Sequence, residues 1–200
     1  MLAEIIKSTL KITGEASQTG YSRVMVQAIG ETVTVTDNNA VHTNIPISGT
    51  ASSIRTIDVS GLTGAGASVY WYDNYNKSIL GSAQGDYFYA GSGNDTIRAG
   101  KGNDYVAGND GTDKIYGGRG NDTLQAGTGD DFIWAQQGND LIDGGEGFDT
   151  LVLAGARADY DIDVVNGMHV ITHARGSRSD GIDTFGNIEA LRFSDQTMDL

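Results

Sequence analysis

The sequence predicts an all-β protein built around a parallel β-solenoid, and three observations support this prediction. Counted in nines from Gly81, every unit carries an aspartate at its sixth position and an apolar residue at its eighth. The residues between these apolar positions are rich in glycine. Segments on both sides of the repeats alternate apolar and polar residues, as strands do. A fixed period of this kind is the sequence signature of a repeat architecture.

The N-terminal segment reads as short strands. "RVMVQAI" and "ETVTVTD" alternate within residues 22–59, and "DNN" is a turn signal. We therefore interpret residues 1–60 as a β-rich N-terminal cap or the tail of a larger domain. Further along, Tyr70 and Ile79 continue the nine-residue period of the apolar positions, but Ser68 and Lys77 stand where aspartate is expected. The solenoid is predicted to span residues 61–152, with its first part lacking metal.

The repeats proper cover residues 81–152. A flexible glycine-rich linker is the alternative interpretation, but a linker would not hold two positions in phase through eight units. The sixth positions are Asp86, Asp95, Asp104, Asp113, Asp122, Asp131, Asp140 and Asp149. The eighth positions are Phe88, Ile97, Val106, Ile115, Leu124, Ile133, Ile142 and Leu151.

Each unit is predicted to be a sharp turn over positions one to six and a short strand over positions seven to nine. Two nonapeptide units complete one coil. Units that begin at residues 81, 99, 117 and 135 then form one parallel sheet, and those that begin at 90, 108, 126 and 144 form the other. The apolar eighth positions of the two sheets face each other in a thin core.

Stacked coils bring each aspartate close to its counterpart two units later, at a strand spacing of about 4.8 Å. Two carboxylates that close repel by a few kcal/mol at an effective dielectric of about 20, so the stack needs cations. An all-oxygen shell of carboxylates and turn carbonyls suits Ca²⁺. Six stacked pairs predict about six ions, whose +12 nearly cancels the net charge of −13. The predicted carbonyl ligands are Gly91, Gly93, Gly100, Gly102, Gly108, Gly111, Gly117, Gly118, Gly120, Gly127, Gly129, Gly138, Gly144, Gly145 and Gly147.

The units "GGRGNDTLQ", "AGTGDDFIW", "AGSGNDTIR" and "GGEGFDTLV" resemble the GGxGxDxUx nonapeptide of the RTX (repeats-in-toxin) family. Ser82, Gln84, Asn109 and Gln136 depart from the motif. The resemblance implies a right-handed parallel β-roll with calcium between its turns, and folding driven by extracellular calcium. It also implies export by type I secretion machinery through an uncleaved C-terminal signal, hence a secreted or cell-surface location.

Residues 153–200 look like the segment that often follows such repeats in secreted bacterial proteins. Tyr160, Ile162 and Val164 alternate, Asn166-Gly167 is a hairpin turn signal, and Val170 begins the return strand. We expect this segment to cap the open end of the solenoid and to carry the secretion signal.

Charge and motifs exclude several other functions. The net charge of −13 argues against nucleic acid as a partner, and no apolar stretch reaches the length of a membrane span. His169 and His173 lack the HExxH context of a zinc protease, and no Gly-x-Ser-x-Gly elbow is present. We therefore expect no enzymatic activity.

The outer face of the second sheet carries a stripe that changes from basic to aromatic residues. We favour its aromatic end, which includes Trp134, as the dock for the C-terminal cap. The alternative function is an adhesion or polysaccharide-binding module, resembling the R-modules of alginate epimerases. Its candidate ligand-binding residues are Arg98, Lys114, Tyr116 and Trp134.

Overall fold

The protein was analysed as a computed structural model that describes residues 2–6, 9–15, 24–29, 32–37, 40–45, 54–63, 66–72, 74–175 and 180–200. Within these residues the regular structure is almost entirely β, with one short 3-10 turn at Arg157–Asp159 and no α-helix. No helix in this part of the chain has the length and apolar character needed to cross a bilayer. The strands are β1 (Leu2–Ile6), β2 (Thr9–Glu15), β3 (Val24–Ile29), β4 (Thr32–Asp37), β5 (Ala40–Ile45), β6 (Thr56–Thr63), β7 (Ala67–Trp71), β8 (Ser78–Leu80), β9 (Tyr87–Tyr89), β10 (Thr96–Lys101), β11 (Tyr105–Asp110), β12 (Lys114–Arg119), β13 (Thr123–Thr128), β14 (Phe132–Gln137), β15 (Leu141–Glu146), β16 (Thr150–Val152), β17 (Tyr160–Val165), β18 (Met168–His173), β19 (Ile182–Gly186), β20 (Ala190–Arg192) and β21 (Thr197–Asp199).

Consecutive repeat strands alternate between two sheets. One sheet has the order β1-β2-β6-β8-β10-β12-β14-β16-β20-β21, and the other has the order β17-β18-β19-β15-β13-β11-β9-β7-β3-β4-β5. Neighbours in the repeat region pair in parallel with a step of two nonapeptide units, so that Ile97 lies opposite Ile115 and Val106 lies opposite Leu124. The predicted all-β fold and its coil of two units are therefore confirmed.

The strands from β10 to β15 are longer than the sequence predicts. Each runs from position seven of one unit to position three of the next. The ladder continues past the expected end because Gly100 and Lys101 pair with Gly118 and Arg119 one coil further on. The turn that links the two sheets is correspondingly shorter, and it contains positions four to six.

The core lies between the two sheets. The eighth positions from Phe88 to Leu151 are all buried, with exposures of 0 or 1 %. Alanines at position one, such as Ala99 and Ala126, are buried beside them and widen this core. Apolar burial supplies the main favourable free energy of such a stack.

Upstream of the repeats, the apolar positions are shifted from those that the nine-residue period predicts. Val69, not Tyr70, lies opposite Phe88, and Ala67 takes the place expected for Ser68. The step from Ala67 to Asp86 is 19 residues, so counting in nines fails by one at this point. Ile79 does lie opposite Ile97, as predicted.

Antiparallel strands end both sheets. At the N-terminal end, β1 pairs with β2, and β3, β4 and β5 form a meander; the predicted turn at Asn38 and Asn39 lies outside the described residues. At the C-terminal end, β17 and β18 form the predicted hairpin, whose turn residues Asn166 and Gly167 both have positive φ. Strands from outside the repeats thus lie at both ends of the two sheets, so the repeat strands are not edge strands, which limits edge-to-edge association.

The C-terminal segment also adds to the solenoid itself. Strand β19 pairs in parallel with β15, and β20 pairs in parallel with β16. His169 stacks on Phe185 at 5.1 Å and His173 stacks on Tyr160 at 4.8 Å between ring centroids, so both histidines have packing contacts. The domain boundaries at residues 60 and 152 stay predictions.

Candidate metal centre

The turns require glycine at two of the three positions where the repeat has it. From Gly100 onward, positions two and four have positive φ, for example 116° at Gly100 and 108° at Gly102. A Cβ built on Gly118 would lie 2.0 Å from the carbonyl oxygen of Gly100 one coil away. Position one has no such backbone requirement, which explains why alanine is found there. Asn109 and Gln136 adopt positive φ of 75° and 77° without being glycine, a conformation that is uncommon for glutamine.

The eight aspartates form two ladders inside the turns. All eight are buried, with exposures of 3 % or less. In each ladder the backbone N–H of one aspartate donates a hydrogen bond to Oδ1 of the aspartate one coil later. The N···O distances are 2.7 Å for Asp86 to Asp104, 2.9 Å for Asp104 to Asp122, 2.8 Å for Asp122 to Asp140, 2.7 Å for Asp95 to Asp113, 2.7 Å for Asp113 to Asp131 and 2.9 Å for Asp131 to Asp149.

In the five ladder aspartates from Asp113 to Asp149, the second carboxylate oxygen has no such partner among the described residues. Among the described residues, no hydrogen bond reaches the buried Oδ2 atoms of Asp113, Asp122, Asp131, Asp140 and Asp149. A buried carboxylate oxygen without a partner is costly unless a cation or a proton compensates it.

The carboxyl pKa values express the same cost. Burial raises the pKa of Asp113 to about 8 and that of Asp140 to about 7, and it raises the pKa of Asp122 and Asp149 to about 6. Backbone hydrogen bonds lower these values only in part, and neighbouring aspartates raise those of Asp113, Asp140 and Asp149 further. Near neutral pH the ladders therefore favour a bound positive charge.

The carbonyl groups at position four point from one coil toward the next. A Cβ on Gly120 would lie 1.9 Å from the Gly102 carbonyl oxygen, and one on Gly129 would lie 1.9 Å from that of Gly111. Within residues 74–175 and 180–200, the carbonyl oxygens of Gly102, Gly111, Gly120 and Gly129 accept no hydrogen bond. These oxygens and the aspartate carboxylates lie in the same turns, and both have lone pairs available for a metal.

The predicted glycine carbonyls separate into groups by position. At position two the carbonyl oxygen accepts a backbone hydrogen bond from the neighbouring strand, as in the 3.2 Å hydrogen bond from Asp110 N–H to the Gly91 oxygen. At position one the glycine makes room for the carboxylate, since a Cβ on Gly117 would lie 2.7 Å from Oδ2 of Asp122. Position four is the group that supplies carbonyl oxygens without a hydrogen bond. The members are Gly108, Gly117 and Gly144 at position one, Gly91, Gly100, Gly118, Gly127 and Gly145 at position two, and Gly93, Gly102, Gly111, Gly120, Gly129, Gly138 and Gly147 at position four.

The first repeat turn differs from those that follow. Ser82 donates its backbone N–H to Oδ2 of Asp86 at 2.6 Å and its hydroxyl to Oδ1 of the same carboxylate at 3.0 Å. The hydroxyl of Ser82 thus reaches the carboxylate from the position that is glycine at residues 100 and 118. The role of Asp86 as a ligand stays a prediction, and the hydrogen bond from Ser82 would compete with a metal for its carboxylate.

A second ladder, which was not predicted from the sequence, lies on the outside of the turns. At position five, Asn103 Oδ1 accepts the backbone N–H of Asn121 at 2.9 Å, and Asn121 Oδ1 accepts that of Asn139 at 2.9 Å. Asn94 and Asp130 make equivalent bonds to Thr112 and Phe148. The signal was present in the sequence, because asparagine or aspartate precedes the ladder aspartate in most units. These exposed side chains hold the turns in register.

The donor set fits calcium. Among the described residues, no group of three or more His, Cys, Asp or Glu side chains is close enough to hold a metal ion. An ion between two coils would therefore be held by two carboxylates together with backbone carbonyls. Such an all-oxygen shell suits a hard cation with six to eight ligands, which is the preference of Ca²⁺.

The four residues proposed for ligand binding lie on the outer face of the sheet that contains β10, β12 and β14. Tyr116 and Trp134 stack at 4.4 Å between ring centroids, and the Arg98 guanidinium lies 4.6 Å from the centroid of Tyr116. Lys114 pairs with Thr96 and Phe132 on neighbouring strands and is exposed. Trp134 is half-buried. The structure thus joins three of the four in one stack; ligand binding stays a prediction.

Stacked parallel coils with buried carboxylate pairs define the class of calcium-binding β-solenoids. The family model described as the RTX calcium-binding nonapeptide repeat (4 copies) matches residues 80–115, 89–124 and 116–151. Residues 80–151 are therefore RTX calcium-binding nonapeptide repeats, and they form a calcium-binding β-roll. The predicted resemblance to the RTX repeats is confirmed for these residues, and so is the predicted fold. No curated protein matches the chain.

Proposed function

We propose that this β-roll makes the folding of the chain depend on calcium. The observation that carries the proposal is the row of buried aspartate oxygens without a hydrogen bond, from Asp113 to Asp149. Without calcium, each coil interface places ionised carboxylates one coil apart in a buried environment. With calcium, the same oxygens become ligands, so that metal binding and folding are one equilibrium. About six ions are proposed for the six aspartate pairs.

The proposed setting is an extracellular bacterial protein exported by type I secretion machinery. RTX repeats are typical of secreted proteins, and low intracellular calcium would keep a chain of this kind unfolded during export. Extracellular calcium sites have dissociation constants of roughly 10⁻⁴–10⁻³ M, so the chain would fold after release. In this proposal the chain has a structural role and catalyses no reaction.

Circular dichroism during a calcium titration tests this function. In excess chelator at low ionic strength the strand signal should fall, and millimolar calcium should restore it. Magnesium at the same concentration is the control, because its smaller ion requires near-ideal octahedral geometry and releases water reluctantly. Strand content that is the same in chelator and in calcium would refute the proposal.

The stack of Arg98, Tyr116 and Trp134 supports a second candidate, binding of an acidic polysaccharide. A groove of about 750 Å³ runs beside it and is lined by Lys101, Arg119 and Trp134, among others. Aromatic faces stack on sugar rings and basic side chains pair with carboxylates. Binding of alginate to the calcium-loaded protein, weakened by Arg119→Ala and by added salt, would support this function. No binding at low salt would exclude it for this polymer.

A further inference from the structure

Strand β19 and the residues before it form a turn like those of the repeats, although this turn lies outside the nine-residue period. From Asp140, the step of two units found elsewhere in the ladder leads to Ala158, yet the residue stacked on Asp140 is Asp183, 43 residues away. The intervening residues include the β17–β18 hairpin. The short sequence "GIDTF" has the same G-x-D-x-apolar pattern as "GNDLI" at residues 138–142.

Three hydrogen bonds that are typical of a repeat interface are present between the turn at Gly138 and this segment. Asp140 N–H donates to Asp183 Oδ1 at 2.9 Å, as Asp122 N–H donates to Asp140 Oδ1 at 2.8 Å. Ile182 N–H donates to Asn139 Oδ1 at 2.9 Å, which continues the asparagine ladder. Thr184 N–H donates to the Asp140 carbonyl oxygen at 2.9 Å, as Leu141 N–H donates to that of Asp122.

The glycine at position four is reproduced as well. Gly181 has a φ of 98°, and a Cβ on it would lie 1.7 Å from the carbonyl oxygen of Gly138. Gly138 in turn has the same relation to Gly120, at 1.8 Å. Within the described residues, the Gly138 carbonyl oxygen accepts no hydrogen bond. It therefore lies between the two turns with its lone pairs available, as the other position-four carbonyls do.

The carboxylates at this interface match those within the repeats. Asp140 and Asp183 are both 3 % exposed. The buried Oδ2 of Asp140 has no hydrogen-bond partner among the described residues, which is the feature that marks the ladder sites. The interface thus combines two buried carboxylates, one buried oxygen without a partner and one carbonyl oxygen without a hydrogen bond.

The other ladder ends differently. Glu189 Oε2 accepts the Asp149 N–H at 2.7 Å, so it takes the place of the next aspartate. However, a Cβ on Gly144 would lie 1.9 Å from the carbonyl oxygen of Asn187, which places Asn187 at position one of the turn. Asn187 is only two residues before Glu189. A single residue, Ile188, replaces positions two to five in this turn, so the position-four glycine is missing. Glu189 therefore ends its ladder with a hydrogen bond and without a complete set of metal ligands.

We propose that Asp183 closes an additional calcium site with Asp140, outside the matched repeats, and that the ion in this site fastens the C-terminal segment to the β-roll. Six ions in the repeats become seven with this site. Without calcium, Asp140 and Asp183 repel each other across the interface, and residues 180–193 lose their dock. With calcium, the segment completes both sheets through β19 and β20. This inference rests on the calcium binding proposed for the repeats.

The test compares Asp183→Asn with Asp163→Asn in the full chain. Asparagine keeps the size of the side chain and an oxygen for the Asp140 N–H, but it removes the charge. Asp163 is exposed in the hairpin, so its substitution removes the same charge without touching a turn. Equilibrium dialysis against calcium measures the number of bound ions, and hydrogen–deuterium exchange measures the protection of residues 180–193 and of the repeat strands.

We expect Asp183→Asn to bind one ion fewer than the wild type and to lose roughly tenfold or more of the calcium-induced protection in residues 180–193, while β10 to β13 stay protected. Asp163→Asn should behave as the wild type does. The same ion count and the same protection in Asp183→Asn would overturn the proposal. A wild type that shows no calcium response anywhere would instead refute the proposed function.

A measurement on the wild-type chain covers the case in which Asp183→Asn fails to fold. On titration with calcium, the ¹³C resonance of the Asp183 carboxylate should shift as much as those of the repeat aspartates, and that of the exposed Asp163 should shift much less. An Asp183 resonance that stays in place while those of the repeat aspartates move would also overturn the proposal.

Discussion

Asp122 contributes to two coil interfaces, and this makes its substitution informative. Its Oδ1 accepts the N–H of Asp104 at 2.9 Å, and its own N–H donates to Oδ1 of Asp140 at 2.8 Å. Asp149 receives the N–H of Asp131 at 2.9 Å, but on its other side lies the shortened turn of Glu189. Asp122→Asn should therefore weaken two calcium sites, whereas Asp149→Asn should weaken one.

The magnitude follows from mass action. A free calcium concentration about 100 times the dissociation constant of a site adds about 2.7 kcal/mol of stability for each bound ion. Asp122→Asn should then cost about 5 kcal/mol in saturating calcium, and Asp149→Asn about half of that. Urea unfolding in saturating calcium, followed by circular dichroism, measures both values. The matched control is Asp130→Asn, an exposed carboxylate beside the ladder.

A second readout separates lost ligands from damaged packing. Burial raises the pKa of Asp122 to about 6, so its charge opposes folding of the metal-free protein above that pH. The neutral asparagine should therefore lower the unfolding free energy in calcium, whereas the strand signal that remains in chelator should be the same as in the wild type or higher. Equal losses for Asp122→Asn and Asp149→Asn in calcium would contradict the sharing of carboxylates between successive coils.

Three other predictions concern pH, backbone strain and the aromatic stack. Because burial raises the pKa of Asp113 to about 8 and that of Asp140 to about 7, the metal-free fold should be most stable near pH 4 and lose stability as the pH rises through 8. The calcium concentration at the folding midpoint should therefore be lower at pH 6 than at pH 8, because between these pH values only the folded metal-free chain gains protons. Titrations at both pH values check this, and a higher midpoint at pH 6 would contradict it. Gln136→Gly should stabilise the calcium-loaded protein by up to about 1 kcal/mol, because removing the strain of a glutamine in the left-handed conformation outweighs the added entropy of the unfolded chain. Gly118→Ala in the neighbouring coil should destabilise the protein. Thermal unfolding that ranks the two variants the other way would refute the strain argument. Trp134→Ala should lower the unfolding free energy by about 1 kcal/mol through loss of its stacking on Tyr116. Iodide should quench Trp134 fluorescence only weakly, and free quenching would show that the indole is exposed and available to a ligand.

The shared carboxylates have a consequence for how the ions bind. Each central aspartate meets the coil on either side, so the ion at one interface orders a ligand of the next. Repeat proteins of this kind gain stability through contacts between neighbouring units. Calcium binding should therefore be cooperative along each ladder, and the C-terminal interface at Asp183 would be the last member of one ladder.

Much of the site could be predicted from the sequence because the repeat encodes it in register. The period places Asp104, Asp122 and Asp140 in one column whatever their surroundings, since parallel strands stacked at one coil per two units allow no other arrangement of the buried apolar positions. The same register repeats the positive φ at position four in every unit from Gly102 to Gly147, and glycine occupies each of these positions. The type of metal follows from the oxygen donors alone.

The parallel coil, the two columns of carboxylates and their preference for calcium follow from the nine-residue period, because they depend on contacts between identical positions one coil apart. The places where the period breaks are visible only in the folded chain. The 19-residue step that puts Ala67 beside Asp86, and the 43-residue step that puts Asp183 beside Asp140, cannot be counted from the sequence. The physical reason is that an insertion which leaves and re-enters the stack changes the chain distance but not the register, since the ladder hydrogen bonds and the buried apolar side chains decide which residues meet.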